Sequence, residues 1–103
     1  MYRNQAVLRF WNHLRRLAKS KTWLVRDDGA IRTADDCNCP IVAVYNSLFP
    51  FQRSSSQYRS CAATLGLDMT YASYIALAAD CPASADPAVV NQRAKLVKAL
   101  KLA

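Results

Sequence analysis

Two cysteines separated by one residue are the side chains of this chain best suited to chemistry. In Cys37-Asn38-Cys39-Pro40, a thiol precedes a proline that fits the first position of a helix. A cysteine at a helix N-terminus has its thiolate favoured by the helix dipole, which makes Cys39 a candidate nucleophile. The base would have to be His13, the only histidine, which a helical wheel places on an outward, cationic face. We favour the simpler interpretation that small thiols fill the core.

The same cysteines make a poor zinc site. Zinc knuckles separate their paired ligands by about two to four residues, whereas one residue separates Cys37 from Cys39. Cys61 and Cys81 stand singly within or beside predicted helices. The chain also lacks a glycine-rich phosphate loop, a carboxylate pair in a cleft-like context and a cofactor fingerprint. We therefore expect no metal, no cofactor and no enzymatic activity.

Basic side chains gather at both ends of the chain. Seven of them precede the first acid, Asp27: Arg3, Arg9, Arg15, Arg16, Lys19, Lys21 and Arg26. Residues 87 to 103 add four more cations and no acid: Arg93, Lys95, Lys98 and Lys101. All seven acids are aspartates between these ends, and the net charge is +7. Such a chain presents a positive surface to a negative partner, most commonly nucleic acid.

Residues 3 to 19 have the period of an amphipathic helix. Its apolar face consists of Val7, Phe10, Trp11, Leu14, Leu17 and Ala18, and its polar face of Arg9, Asn12, His13, Arg16 and Lys19. An ordinary solvated face mixes charge signs, whereas this one carries only cations that repel each other. We expect a partner to contact this face and the basic face of the last helix. The predicted contact residues are Arg9, Asn12, His13, Arg15, Arg16, Lys19, Lys21, Lys95, Lys98 and Lys101.

Residues 22 to 33 predict a β-hairpin. The sequence Asp27-Asp28-Gly29 supplies turn chemistry, and the glycine suits a positive φ. A three-residue loop would put Val25 opposite Ile31 and Trp23 opposite Thr33, which gives one apolar face. A lone hairpin is marginal in water, so we expect this face to pack on helices.

Prolines, glycine and caps bound four further helices. Residues 40 to 49 predict a central buried helix that begins at Pro40, although their β-branched residues make a buried strand the alternative. Residues 54 to 65 predict a third helix that begins at three serines and ends before Gly66. Asp68 caps a fourth helix over residues 69 to 80, and Asp86-Pro87 begins the last. The fold class is thus mainly α, a compact bundle of about five helices with one small hairpin, in a single domain of residues 1 to 103.

The stretch from residue 57 to 80 has the outline of a helix-turn-helix around Gly66. In such a motif the second helix reads the bases. Here that helix carries no Arg, Lys, Asn or Gln to reach base edges. The outline therefore fits an ordinary pair of helices better than a DNA-reading motif.

One arginine interrupts the apolar face of the last helix. That face consists of Val89, Val90, Ala94, Leu96, Val97 and Leu100, and Arg93 falls inside its arc, whereas Asn91, Gln92, Lys95 and Lys98 lie opposite. Arg93 can extend outward to water. Alternatively it forms a structural ion pair with Asp80, at the end of the preceding helix.

Several short strings resemble uncharacterised proteins of proteobacterial phages and prophages. They are Gly29-Ala-Ile-Arg32, Cys39-Pro-Ile41, Leu65-Gly-Leu67, Ala78-Ala-Asp80, and Arg93 with Leu96, within residues 23 to 102. The resemblance implies a phage-related origin and no assigned activity. The basic N-terminal helix lies outside the matched part.

We expect a small basic binding protein that contacts nucleic acid or a nucleoprotein through its cationic helix faces. One alternative is a phage-encoded inhibitor that docks on an acidic surface of a host defence protein, and another is a minor virion or assembly component. No secretory signal and no apolar run of about 20 residues is visible, so we expect no membrane partner. The expected location is the host cytosol, with reduced thiols.

Overall fold

The computed structural model describes residues 2 to 52, 57 to 80 and 83 to 102, with the side chains of the first helix described from residue 5 onward. Within these residues, five helices accompany one antiparallel hairpin. In chain order the elements are α1 (Tyr2–Ser20), β1 (Trp23–Val25), β2 (Ile31–Thr33), α2 (Pro40–Leu48), α3 (Tyr58–Thr64), α4 (Met69–Asp80) and α5 (Pro87–Ala99). The predicted mainly α bundle with a small hairpin is confirmed.

The hairpin has the predicted register, with Trp23 opposite Thr33 and Val25 opposite Ile31. The Arg26 N–H donates to Ala30 O at 2.8 Å, which closes the three-residue loop, and Gly29 has φ +87°. The single apolar face is only partly realised, because Val25 is 47% exposed. The hairpin contacts α2 and α4 mainly through β2, so the end of β1 is left uncovered.

Helix α2 is the centre of the bundle, in contact with α1, α3, α4 and β2. Pro40 occupies its first turn with Cys39 as N-cap, and all six residues from Pro40 to Tyr45 are buried. The strand alternative is wrong. A proline preset for the first helical turn outweighs the β preference of the residues that follow.

Helices α3 and α4 are joined by a tight turn at Gly66. The Gly66 N–H donates to Ala63 O at 3.1 Å and the Leu67 N–H to Ala62 O at 3.0 Å. This pair of bonds is a Schellman motif, and φ +79° at Gly66 explains why a glycine stands there. Asp68 then caps α4 by accepting the Tyr71 N–H at 3.2 Å. The three serines expected to begin α3 lie outside the described residues.

Helix α5 begins as predicted, with the Asp86 carboxylate accepting the Ala88 N–H at 2.9 Å. Its buried face differs from the predicted one. Val90 is 49% exposed, whereas Gln92 is buried at 8% exposure. The buried positions are Val89, Gln92, Leu96, Ala99 and Leu100. Sequence hydropathy failed here because two apolar residues, Val90 and Ala94, face solvent and one amide, that of Gln92, faces the core.

The core joins side chains from most of the elements. Among the largest fully buried ones are Phe10, Leu14, Ile31, Ile41, Val44, Ile75 and Leu96. Two buried indoles are anchored by hydrogen bonds, Trp11 Nε1 to Tyr71 Oη at 2.8 Å and Trp23 Nε1 to Leu17 O at 3.2 Å. None of the described helices combines the length and the apolar character needed to cross a bilayer.

Candidate functional site

A cleft of about 630 Å³ lies between α1 and α5, where the two basic ends of the chain meet. Five cationic side chains line it: Arg15, Lys19, Lys95, Lys98 and Lys101. Between them lies an apolar floor of Val7, Leu8, Trp11 and Ala99. No carboxylate is among the described residues that line this α1–α5 cleft.

Helix geometry brings these cations together. Arg15 and Lys19 lie one turn apart on the same side of α1, and Lys95 and Lys98 lie one turn apart on α5. The two helices pack against each other, so both pairs face the same cleft. Like charges this close repel each other in the absence of counterions, and an anion placed between them would remove that repulsion.

The fifth cation is held by an unusual backbone conformation. Lys101 follows the end of α5 with φ +55°, in the left-handed region that glycine normally occupies. The Lys101 N–H donates to Lys98 O at 3.2 Å and the Leu102 N–H to Val97 O at 2.9 Å, a second Schellman motif. A side chain in this conformation costs about 1 kcal/mol relative to glycine. Lys101 therefore introduces strain at the edge of the α1–α5 cleft.

The opposite flank of α1 borders a second depression, of about 270 Å³. Its polar lining consists of Arg9, Asn12, His13 and Arg16, and its apolar lining of Ala6, Phe10, Leu48 and Leu65. We call it the α1–α2 groove, because α2 ends at Leu48. His13 Nε2 lies 2.8 Å from Ser47 Oγ of α2. Burial, and secondarily the charge of Arg16, holds the pKa of His13 below its ordinary value of 6.5.

Nine of the ten predicted contact residues line one of these two depressions. The exception is Lys21, which pairs with Asp36 at 3.6 Å and lines neither. Within α1, Arg15 Nη1 donates to Asn12 Oδ1 at 3.0 Å. Sequence reasoning missed Leu8, which is 60% exposed and forms part of the cleft floor. The helical wheel places Leu8 beside Arg15, and this position could have identified Leu8 as part of the cationic surface.

The predicted ion pair between Asp80 and Arg93 is wrong. Arg93 Nη1 donates instead to the Ala78 carbonyl at 2.9 Å, and the Asp80 carboxylate pairs with Arg32 of β2. Helix α4 has no basic residue in its last turn. Two arginines from other elements therefore supply the positive charge that the C-terminus of α4 lacks. Arg93 binds the Ala78 carbonyl, and Arg32 binds the Asp80 carboxylate.

The described cysteines, Cys37, Cys39 and Cys61, line neither depression. Cys37 and Cys39 line a separate cleft of about 420 Å³ with Arg32, Tyr58 and Asp80. Burial raises the pKa of the Cys39 thiol, although the Val42 N–H and the charge of Arg32 act in the opposite direction. The thiolate stabilisation expected at the start of α2 is thus outweighed by desolvation.

His13, the base that Cys39 would need, lines the α1–α2 groove instead of this cleft. Across the described part of the chain, no three His, Cys, Asp or Glu side chains cluster so that they could hold a metal ion. The cationic surfaces on either side of α1 are therefore the candidate functional site. Comparison of the chain with protein-family models, with curated proteins and with solved structures returned no match.

Proposed function

We propose that this protein is a non-enzymatic binding protein that holds nucleic acid by its phosphates along the α1–α5 cleft. The observation that carries the proposal is the convergence of five cations from opposite ends of the chain on one cleft with no carboxylate in its described lining. Duplex DNA carries one negative charge per about 1.7 Å of its axis, so a stretch of backbone can satisfy several of these cations at once.

The lining favours contact with the backbone over contact with bases in this cleft. Four of its five cations are lysines, which act as flexible point charges toward phosphate. Its one aromatic residue, Trp11, is buried and its indole N–H is bonded to Tyr71. No ring is therefore offered in this cleft as a platform on which bases could stack. Binding there should tolerate many sequences.

A second candidate function is supported by the floor of the cleft. Leu8 is 60% exposed and lies with Val7 and Ala99 among the cations. An acidic helix with an apolar stripe would fit such a surface through charge and apolar contact together. In that case the protein would be a phage-encoded inhibitor that docks on a host defence protein, in the host cytosol.

Titration with duplex DNA at several salt concentrations tests the proposal. Five phosphate contacts predict a slope of log K against log[salt] of about −4.5, since each contributes about −0.9. Joint replacement of Lys95 and Lys98 by Gln should reduce the magnitude of this slope by about 2. Lys21→Gln is the matched control, because Lys21 pairs with Asp36 outside the cleft, and it should change the slope least.

Absence of binding at low salt would overturn the proposal. A labelled acidic amphipathic peptide, tested in parallel, separates the two candidate functions. If the peptide binds and DNA does not, the protein-docking function is supported. If Lys21→Gln alters the slope as much as the double variant does, the α1–α5 cleft is not the binding surface.

A further inference from the structure

Helix α1 stands as a ridge between two depressions. The α1–α5 cleft borders it along Leu8, Trp11, Arg15 and Lys19, and the α1–α2 groove borders it along Arg9, His13 and Arg16. The ridge between them is exposed to solvent over several turns. A helix that projects in this way can enter a concave partner without its neighbouring helices colliding with the walls.

The side chains along the ridge have an unusual chemistry. Gln5, Arg9, Asn12 and Arg16 are all exposed and follow one another at spacings of four, three and four residues. At 3.6 residues per turn, these positions fall within an arc of about 60° along roughly 17 Å of helix. Arginine pairs in two-pronged fashion with guanine, and Asn and Gln pair likewise with adenine. All four residues of this stripe are thus of the types that read base edges.

From this stripe we infer that α1 is a recognition helix that reads the major groove of B-form DNA. This inference rests on the proposed function, which requires only phosphate contacts. The major groove is about 12 Å wide and admits one α-helix. A stripe of about 17 Å spans about five base pairs at roughly 3.4 Å each.

The two depressions beside α1 leave room for the phosphate backbones that form the walls of the DNA major groove. With α1 in the major groove, one phosphate backbone lies along the α1–α5 cleft, where Lys95, Lys98 and Lys101 face it. The cleft and the ridge differ in their cations, because four of the five in the cleft are lysines, with Arg15 the exception, whereas both on the ridge, Arg9 and Arg16, are arginines. Lysine suits phosphate as a point charge, and the planar guanidinium suits the paired acceptors of guanine.

One member of the stripe is already oriented. Asn12 Oδ1 accepts a hydrogen bond from Arg15 Nη1 at 3.0 Å, which restricts the rotation of the amide. An oriented amide loses less conformational entropy when it pairs with adenine. By contrast, α4, the second helix of the helix-turn-helix outline, carries no Arg, Lys, Asn or Gln. The reading helix in this protein is therefore the first of the chain.

Selection of bound duplexes from a random DNA pool, followed by affinity measurement on the selected site, tests the inference. The selected sites should share a core of about five base pairs with G at two positions and A at others. Arg9→Lys and Arg16→Lys keep the charge but lose the two-pronged bond. Each should reduce the preference for the selected site over random duplex by at least about fivefold and leave the salt slope unchanged. Arg59→Lys, the same change at an exposed residue of α3 that lines neither depression, should leave the preference intact.

The outcomes separate this inference from the proposed function. Salt-dependent binding with no enriched sequence would overturn the inference and leave the proposed function standing. Equal affinity for double-stranded RNA would also overturn it, because the major groove of A-form RNA is too narrow for a helix. If no nucleic acid binds at all, both are wrong. The substituted side chains are exposed, and unchanged melting temperatures would exclude misfolding as the cause of a lost preference.

Discussion

The ion pair between Arg32 and Asp80 should stabilise the fold more than any other described ion pair. Arg32 lies on β2 and its side chain is only 18% exposed, whereas the Asp80 side chain is 50% exposed. Arg32 Nη1 also donates to the Ile31 carbonyl at 2.8 Å. The bond to Asp80 ties the hairpin to the end of α4, and it neutralises a carboxylate placed where the helix dipole is also negative.

The expected magnitude lies between two limits. An exposed pair contributes under about 1 kcal/mol, and loss of one partner of a fully buried pair costs about 3–5 kcal/mol. With one side chain largely buried and the other half exposed, we expect Arg32→Met or Asp80→Ala each to cost about 1–2 kcal/mol. For a domain of about this size, 1 kcal/mol corresponds to roughly 4–8 °C in melting temperature. Methionine retains most of the aliphatic packing of Arg32, so the change reports mainly the charge.

A double-mutant cycle measured by thermal or urea unfolding tests this reasoning. Arg32→Met with Asp80→Ala should give a coupling energy of about 1 kcal/mol or more. Two control cycles should give less than about 0.5 kcal/mol: Arg93→Met with Asp80→Ala, and Lys21→Met with Asp36→Ala. The second control uses a pair at 3.6 Å whose side chains are 32% and 55% exposed. Additive effects in the first cycle, or stronger coupling to Arg93, would refute the reasoning.

Three further predictions concern single residues. His13, the only histidine, should titrate below pH 6.5 when its ring is followed by NMR. The stability that the neutral ring contributes is therefore fully present above pH 6.5 and is lost as the pH falls through the lowered pKa of His13. His13→Gln should lose that part of the acid sensitivity. Lys101→Gly should raise the stability by about 1 kcal/mol yet weaken DNA binding, since it relieves a left-handed backbone and removes a charge from the cleft. In a Cys81→Ser background, Cys37 should react with thiol reagents before Cys39 and Cys61, because Cys37 is exposed and burial raises the pKa of the other two.

Each of these has an outcome that contradicts it. A midpoint at or above 6.5 for His13 in the ligand-free protein would show that burial does not govern its pKa. Lys101→Ala removes the charge but keeps a side chain in the strained conformation, so a gain in stability equal to that of Lys101→Gly would rule out backbone strain. Uniform labelling of the three thiols by mass spectrometry would mean that the core opens faster than the reagent reacts.

Local signals in the sequence were sufficient for most of the backbone. Pro40 and Asp86 mark helix starts through chemistry confined to one turn, and Gly66 marks a helix end in the same way. The turn at Asp27 to Gly29 fixed the register of the hairpin, because loop length decides which residues face each other. Such features do not depend on where distant parts of the chain lie.

Features that depend on packing were not accessible in this way. The partner of Asp80 proved to be Arg32, 48 positions earlier in the chain, although Arg93 is nearer in sequence. The last turn of α4 carries no basic residue, so a cation beside its C-terminus has to come from another element. Likewise, composition revealed two basic ends, but only the packing of α1 on α5 unites them in one cleft.

Helix α1 supplies fully buried core side chains, Phe10 and Leu14, on one side and the proposed binding ridge on the other. The same rigid element therefore carries folding and recognition, and the ridge cannot unfold locally without opening the core. Any ligand of the ridge should protect the amide protons of the whole core from exchange, and should raise the melting temperature by an amount that grows with the logarithm of ligand concentration. Conversely, core substitutions far from the ridge that allow α1 to fray should weaken binding with no contact to the ligand.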